Sequence, residues 1–515
     1  MLRTQQRRQV NRGQQAVSRP LPPPVMGWNA KDSLDAMKPA DAVILENWFP
    51  EETRVTVRYG SAIHCNTGEG TFNVETVAEW KAGASRKLVV GCHGKLIDAT
   101  TSTPSTLGSG FTSNRWRHVN FGERLFLVNG ADAPQDYNGS ALAATAWSGS
   151  GLTITTLSDA AVFKERLWFI EKDTLNAWYA ALQTITGTLV KFPLKYTGSF
   201  GGTLKAIGTL TVDGGTGPDD LILFFLSSGE VIVYGGSDPA DATDFHRVGT
   251  FLIGPPVGNA PLLQFGNDLL AITESAYTPI TRVAATRRTE GKSSDIDLSD
   301  RISGAVSAAV KAYKDNTGWQ AVFFPSGSKL IVNVPRSAVA FDQHVMNLST
   351  KAWCKFTGWN FPCFGVFSNE LYAGGTDGKV YQCDTGTSDN ATAIVADGQT
   401  AWNYFGDTGR EKNFTMARVI FAAASDPTAT MSIGTDFVIS VPTDAVEVGD
   451  VDSGAIWDTA IWDTALWAGA TQTFQGWQGV SGQGYAASMR LRVAVTEQTP
   501  SWMAGNIVFK PAGMV

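Results

Sequence analysis

The chain has 515 residues, a formal net charge of −7, only 17% charged residues and 53 glycines. An acidic balance argues against avid, sequence-independent nucleic-acid binding, which needs many Lys and Arg contacts to phosphate. The length predicts two or three domains, and the composition favours many short strands joined by turns, so we expect an all-β protein.

Residues 1–26 are expected to form a flexible basic arm. The segment contains no acidic residue, includes the run PLPPP, and carries five arginines: Arg3, Arg7, Arg8, Arg12 and Arg19. Such a segment cannot bury enough apolar area to fold alone, so we expect it to extend and to become ordered only on a partner. A frayed tail, an arm laid on a neighbouring subunit and an arm reaching toward nucleic acid are the alternatives.

Residues 27–59 are expected to lead into the first large domain. The stretch DAVILENW predicts one helical turn, which Pro50 would end because its ring excludes helical geometry for the preceding residue. The stretch RVTVRYG alternates apolar and polar residues and predicts a strand with one buried face. We expect residues 53–59 to close a ring of blades by pairing with the last blade, around residues 371–381.

Related hairpin sequences recur through residues 60–389. Each copy has Phe, three residues that include a charge, Leu, and then a short apolar strand, a polar turn and a return strand. The copies begin at Phe121 (FGERLFLV), Phe163 (FKERLWFI), Phe265 (FGNDLLAI) and Phe367 (FSNELYAG). Two further hairpins, starting at Leu221 and Ala321, contain a Ser-Gly turn signal. The spacing corresponds to units of roughly 50 residues, and it predicts a β-propeller of about six or seven blades.

One segment breaks the hairpin rhythm. The stretch DLSDRISGAVSAAVKAY has apolar residues at helical spacing after the capping candidate Ser299. We therefore expect a helix near residues 299–313, packed on the rim of the propeller.

Residues 390–515 are expected to form a separate, β-sandwich-like domain, because strand patterns continue while the hairpin repeat stops. Within it, IWDTAIWDTALW repeats every five residues and carries Trp457, Trp462 and Trp467. A five-residue period matches neither one helix stripe nor one strand face. The three tryptophans are candidates for a docking surface, since Trp is enriched at interface hot spots. The alternative is that they cover the domain's own core.

No enzyme signature is found, and we expect no catalytic, cofactor-binding or metal-binding residues. EGKSS at 290–294 lacks the glycine that a phosphate-binding loop requires, and no sialidase-type Asp-box or GxSxG motif occurs. The pairs His64-Cys65 and Cys92-His93 have ligand types suited to a metal, but their spacing matches no closed site. Five cysteines without a CxxC pair argue for buried, reduced thiols. No apolar run predicts a membrane-spanning segment.

Three stretches together resemble the tail nozzle proteins, also called tail tubular or tail hub proteins, of short-tailed bacteriophages (podoviruses). The first is GWNAKDSLDAMKPADAVILENWFPEETRVTVRYG, and the second is LILFFLSSGEVIVYGGSDPADATDFHRVGTFLIGPPVG. The third runs from KAWCKFTGW through ELYAGGTDGKVYQCDTGTSD and YFGDTGREKNFTMAR to the Trp repeat. The stretches occur in order over most of residues 27–470.

The resemblance implies a structural protein of the virion tail, assembled in the host cytoplasm. It implies a homo-oligomeric ring, a hexamer in this family, below the portal and adaptor proteins, with tail fibre or spike proteins as further partners. Phage DNA would pass through the lumen without sequence recognition, and an acidic chain suits that task.

Two other classes of function are kept as alternatives. A glycan-binding or receptor-binding propeller would use Trp and Tyr side chains as sugar platforms. A propeller glycosidase would need paired carboxylates, which cannot be identified among the many acidic residues.

Overall fold

The computed structural model describes residues 15–195, 197–213, 218–266, 268–281, 297–446, 449–450 and 472–512. The chain divides into two compact units. The first joins Met1–Arg58 to Ala393–Val515, and the second is Tyr59–Thr392. The N-terminal lead-in segment therefore belongs with the C-terminal domain and not with the repeat region.

The strands before residue 59 belong to the first unit. Those that the structure describes are β1 (Val17–Leu21), β2 (Gly27–Trp28), β3 (Asp41–Glu46), β4 (Trp48–Pro50) and β5 (Val55–Val57).

The second unit contains short strands, two 3-10 turns and an α-helix whose full length is described. The strands up to the helix are β6 (Ser61–Asn66), β7 (Val74–Ala82), β8 (Ser85–Cys92), β9 (Lys95–Asp98), β10 (Ser105–Ser109), β11 (Arg117–Phe121), β12 (Arg124–Val128), β13 (Gln135–Tyr137), β14 (Leu142–Ala144), β15 (Trp147–Ser148), β16 (Leu157–Phe163), β17 (Arg166–Glu171), β18 (Asn176–Tyr179), β19 (Gly187–Thr188), β20 (Val190–Pro193), β21 (Leu204–Asp213), β22 (Pro218–Leu226), β23 (Glu230–Gly235), β24 (His246–Leu252), β25 (Leu262–Phe265), β26 (Asp268–Ile272) and β27 (Tyr277–Pro279). The 3-10 turns are Ile154–Thr156 and Asp300–Ile302, and helix α1 is Ser303–Tyr313. After the helix come β28 (Gln320–Phe324), β29 (Lys329–Pro335), β30 (Phe341–Asn347), β31 (Trp353–Phe356), β32 (Cys363–Phe367), β33 (Glu370–Gly374) and β34 (Lys379–Cys383).

The remaining strands return to the first unit. They are β35 (Ile394–Thr400), β36 (Lys412–Ala423), β37 (Ala429–Thr435), β38 (Ala445–Val446), β39 (Gly449–Asp450), β40 (Gln472–Gly484), β41 (Ala487–Val495) and β42 (Ser501–Pro511).

The second unit is a β-propeller, as the hairpin repeat predicts. Most of its described strands form seven successive antiparallel meanders, named here sheets I to VII, while β15 and β19 pair parallel as a separate two-stranded sheet. Sheet I is β7–β10, sheet II β11–β14, sheet III β16–β18 with β20, sheet IV β21–β24, sheet V β25–β27, sheet VI β28–β31, and sheet VII β32–β34 with β6. Sheet V has three strands in this part of the chain, and the number of blades stays a prediction.

Apolar cores lie between neighbouring sheets because strand side chains alternate between two faces and each sheet is covered on both. One such core joins each of five neighbouring pairs: Trp80 and Leu125 for sheets I and II, Phe126 and Phe169 for II and III, Trp168 and Phe224 for III and IV, Phe225 and Leu269 for IV and V, and Tyr372 and Leu88 for VII and I. Contact between the last sheet and the first makes the arrangement a closed ring.

The Phe that starts each sequence copy ends the first strand of a sheet and precedes a two-residue turn. Gly122 and Glu123 connect β11 to β12 with φ of 56° and 60°. Ser368 and Asn369 connect β32 to β33 with φ of 50° and 66°. Positive φ at both central residues is the hairpin geometry that matches the right-handed twist of strands. The recurring sequence therefore marks the turn between the first and second strands.

The ring is closed by a different strand from the one expected. Strand β6 pairs with β34, so an N-terminal strand does complete sheet VII. The predicted closing segment, residues 53–59, contains β5, which pairs instead with β4 and β42. Both valines of β5 are buried in the first unit. Alternation identifies a strand with a buried face but not the sheet that it joins.

The predicted helical turn in DAVILENW is also wrong, since this segment forms β3. Strand β3 pairs antiparallel with β35 over Ala42–Glu46 and buries Ala42 and Leu45. Pairing with a distant strand here outweighs the local helix propensity. The predicted helix is confirmed as α1, which buries Val306 and Val310, and its place on the rim stays a prediction. Ser299 does not cap it, and its hydroxyl accepts a hydrogen bond from the Tyr277 N–H at 2.9 Å.

The first unit is β-sandwich-like, as predicted for residues 390–515, but it also includes the strands before residue 59. One sheet has the order β39-β40-β36-β42-β5-β4, with β1 added to β42, and the second contains β3, β35, β41, β37 and β38. The rings of Trp48 and Trp502 pack edge to face at 6.2 Å, and the backbone at Gly398 lies against both. Residues 17–21 belong to the arm that we expect to become ordered only on a partner. They pair as β1 with β42 of the same chain, where Leu21 is buried.

Candidate functional site

The first strands of the propeller sheets begin around a common axis, and a solvent-accessible cavity lies there. A cavity of about 140 Å³ is bounded by residues of sheets II to V and the segments that precede them, including Arg115, Arg117, Lys172, Lys205 and Asn259. We call it the axial cavity. A neighbouring cavity of about 70 Å³ shares both arginines and Asn259 and reaches sheets I, VI and VII. Together they contact every sheet, as the centre of a propeller should.

The axial cavity opens on the face where first strands begin and second strands end. Lys172 directly follows the second strand of sheet III, and its N–H donates to the Thr156 carbonyl at 2.8 Å. The N–H of Leu204, at the start of sheet IV, likewise donates to the Thr174 carbonyl at 2.8 Å. The first bond lies within sheet III, and the second ties a turn of sheet III to the first strand of sheet IV, so this part of the cavity wall is hydrogen-bonded backbone.

Two ion pairs link neighbouring sheets beside the axis. Arg115 lies 3.0 Å from Glu75 of sheet I, and the Arg117 Nε donates to Asp159 Oδ1 of sheet III at 3.0 Å. The Asp159 side chain is 4% exposed, and its Oδ2 also accepts the Ile207 N–H of sheet IV at 3.1 Å. A buried carboxylate thus holds Arg117 in place at the cavity wall.

His118 faces the smaller axial cavity. Desolvation within the wall lowers its pKa to about 4, and the positive charge of Arg117 contributes in the same direction. The ring is therefore neutral at pH 7. A neutral imidazole offers one donor and one acceptor there.

An exposed apolar loop connects β37 to β38 in the first unit. Its residues Phe437, Val438, Ile439 and Val441 are 36%, 62%, 47% and 54% exposed. The base of this loop is fixed, because Asp436 Oδ1 accepts the Tyr485 and Ala486 N–H groups at 2.8 and 3.0 Å. Four exposed apolar side chains held on one ordered loop are typical of protein interfaces.

Strand β40 lies near this loop, and part of its outer edge has no pairing strand among the described residues. In the described residues its outer edge pairs with β39 only at Phe474 and Gln475, whereas β40 continues to Gly484. Trp477 on this strand is 44% exposed, and the Arg418 guanidinium lies 5.0 Å from its ring centroid. Unpaired strand edges are templates for pairing with another chain.

Most of the predicted interface residues fall outside the part of the chain that the structure describes, so their role as an interface stays a prediction. Arg3, Arg7, Arg8 and Arg12 lie outside the described residues, as do Trp457, Trp462 and Trp467. Arg19 is exposed on β1.

The residues weighed as a metal pair have separate contacts. His64 Nε2 lies 2.9 Å from the Ala99 carbonyl, and His93 Nδ1 lies 2.9 Å from Glu69 Oε2. In the part of the chain that the structure describes, no group of three His, Cys, Asp or Glu side chains is placed to hold a metal. None of the described helices is long and apolar enough to cross a membrane.

The axial residues were missed by the sequence analysis. The signal was the alternation in NRWRHVNF, which places Arg115 and Arg117 on the same side of one extended segment directly before the Phe121 turn. Lys172 and Lys205 give no such local signal, because only the ring of sheets brings them to the axis.

Comparison with known proteins places the chain near several solved structures. No protein-family model and no curated protein matches it. BBS1N, solved in complex with ARL6DN, is 11% identical, covering 65% of this chain and 99% of its own, with a TM-score of 0.40. Raptor from Chaetomium thermophilum is 11% identical, covering 64% and 29%, with a TM-score of 0.39.

An enzyme is among the similar structures. Exo-beta-1,3-galactanase from Phanerochaete chrysosporium is 11% identical, covering 77% of this chain and 97% of its own, with a TM-score of 0.28. At these scores the similarities carry no argument about what this chain binds or catalyses.

Proposed function

We propose that the chain is a non-catalytic structural protein of a phage virion, a tail nozzle subunit that assembles with further copies and with other tail proteins. The observation that supports an assembly role is the exposed apolar loop of the first unit. The support for the phage tail in particular is the sequence resemblance of three stretches that span most of residues 27–470.

The partners that follow from this proposal are those of the family resemblance. They are a homo-oligomeric ring, a hexamer in that family, adaptor and portal-side proteins, and tail fibre or spike proteins. Phage DNA would pass through the ring without sequence recognition, and the net charge of −7 suits a surface that does not retain phosphates. Assembly would take place in the host cytoplasm and end in the virion tail.

The test of the proposal is assembly itself. Purified protein should form rings, alone or with adaptor protein, that are visible by electron microscopy and have a matching mass in solution. Replacing Val438 and Ile439 together by Lys should reduce assembly, because two charges would have to be buried in the contact. The matched control is Val339→Lys, since Val339 is 62% exposed in the second unit. Protein that stays monomeric with adaptor present would contradict the proposal.

A receptor-binding or glycan-binding propeller is the second candidate, favoured by the axial cavity. Preformed concave sites with a few convergent polar groups are where ligands commonly bind. A glycan array and a mass measurement separate the two functions: a monomer that binds glycans and never joins a ring supports the second. Turnover of aryl glycosides, abolished by changing one carboxylate, would instead indicate a propeller glycosidase.

A further inference from the structure

The axial cavity concentrates positive charge in an acidic chain. Four cationic side chains line it, Arg115, Arg117, Lys172 and Lys205, and Asp173 is the carboxylate among its lining residues. The formal net charge of the whole chain, by contrast, is −7. A positively charged cavity with low-dielectric walls attracts anions from solution.

The two arginines have carboxylate partners outside the cavity lining. Glu75 engages Arg115, and buried Asp159 engages the Nε of Arg117. The hydrogen bond to Asp159 uses one of the five guanidinium donors, and the described contacts of Arg117 include no partner for its two Nη groups. Arg117 is therefore fixed in position while it keeps donors for a ligand.

The two lysines are not committed to a carboxylate. In the described part of the chain neither Lys172 nor Lys205 has an ion pair or a side-chain hydrogen bond, and both contribute to the cavity wall. They come from different sheets, III and IV, so they meet at the cavity through the packing of the sheets and not through closeness in the sequence. Asn259 and Ser158 add an amide and a hydroxyl to the same wall.

We propose that the axial cavity binds a phosphate group, as the free ion or as a small phosphate monoester. Arginine provides a planar fork and lysine a compact point charge, which is the combination that phosphate oxygens accept. A phosphate monoester carries nearly two negative charges at neutral pH and three acceptor oxygens, and it suits several converging cations better than a singly charged carboxylate does. The cavity of about 140 Å³ has room for such a group with bridging waters.

The site is independent of the proposed assembly role. Ring formation concerns the first unit, whereas phosphate binding concerns the axis of the second. Loss of one in a variant need not affect the other, so failure of the assembly test and failure of the phosphate test are distinguishable.

The experiment is calorimetric titration of the full chain with inorganic phosphate, glycerol phosphate and glucuronate at low ionic strength. We expect phosphate or glycerol phosphate to bind more tightly than glucuronate, with an affinity that falls as salt is added. Tighter binding of inorganic phosphate would identify the free ion as the ligand. Tighter binding of glycerol phosphate would identify an ester. Either result supports the site.

The variant that tests the residues is Lys172→Met combined with Lys205→Met. We expect it to weaken phosphate binding at least about tenfold, because two charge-assisted contacts are removed. The matched control is Lys311→Met on α1, an exposed lysine outside the cavity, which should bind as the unchanged protein does. Circular dichroism and thermal unfolding verify that both variants fold.

Three outcomes would overturn the proposal. They are an absence of phosphate and glycerol phosphate binding at millimolar concentration, unchanged phosphate affinity in the folded double variant, and tighter binding of glucuronate than of either phosphate ligand. Phosphorus NMR of the added phosphate gives a second readout, since bound phosphate should broaden its signal with the unchanged protein and not with the double variant.

Discussion

The apolar side chains between propeller sheets III and IV differ from those of the β37–β38 loop in the first unit. Between the sheets, Trp168, Phe224 and Phe245 are buried and their rings pack together, with Trp168 and Phe245 stacked at 5.6 Å. In the loop, Val438 and Ile439 are about half exposed or more. Buried apolar side chains between the sheets therefore stabilise the fold, whereas the exposed ones in the loop are available to a partner.

The largest expected effect is in the aromatic cluster of the propeller. Replacing Trp168 by Ala removes a fully buried side chain that packs on four other rings, and we expect a loss of about 3–5 kcal/mol in the free energy of unfolding. Denaturant unfolding measures it. Trp168→Phe should cost much less, because its ring keeps part of the packing; equal losses would show that the cluster does not carry this stability.

The next effect is expected in the turn between β22 and β23 of the same propeller region. Gly229 has φ of 87°, and a Cβ atom there would lie 2.3 Å from the carbonyl carbon of Gly254. Gly229→Ala should therefore destabilise the protein by about 2–3 kcal/mol through backbone strain and displacement. Gly266→Ala is the control, since its φ is also positive but its Cβ would meet no atom. Equal thermal shifts for the two variants would contradict the importance of the close approach.

The free energy of unfolding should depend on pH through a histidine in the buried core, His344. Burial is the main cause that lowers the pKa of His344 to about 3, and nearby Lys355 contributes in the same direction. The unfolded state, with a pKa near 6.5, binds more protons, so stability present above pH 6.5 is lost as pH falls toward the folded value. Between pH 7 and pH 5 we expect a loss of about 2 kcal/mol from this residue.

The measurement is chemical unfolding at several pH values. His344→Gln keeps a group able to hydrogen bond to the Tyr277 hydroxyl, which lies 2.9 Å from His344 Nδ1, and it should show a weaker pH dependence. The same slope in both proteins would assign the pH dependence to other groups.

The smallest effect on stability is expected in the exposed loop. Lys at positions 438 and 439 should change the free energy of unfolding by no more than about 0.5 kcal/mol each, because surface substitutions remove little packing. Thermal unfolding and assembly are measured on the same sample. A large loss of stability would mean that the loop is part of the core, and the contrast with Trp168 would fail.

The propeller fold could be predicted from sequence because its information is local and repeated. The Phe residues at 121, 163, 265 and 367 each end the first strand of a sheet. A wrong prediction for one hairpin therefore does not affect the prediction of the others. Helix α1 could be predicted for a similar reason, since its apolar spacing lies within one short segment.

The choice of partner strand could not be predicted in the same way. Strand β5 has the alternation of a ring-closing strand but pairs in the sandwich, and β3 has a helical pattern but pairs with β35. Both outcomes depend on which distant strand buries a given face, and local propensity is weak against that.

By itself, the sequence determined the all-β character, the repeated hairpins and the place of helix α1 along the chain, because each depends on periodicity or turn chemistry within a few residues. Only the tertiary structure decided which strand closes the ring, and only it brought Arg117, Lys172 and Lys205 from three sheets to one cavity. The physical reason is that a propeller axis is formed by segments far apart in the chain, whose convergence depends on the packing of whole sheets.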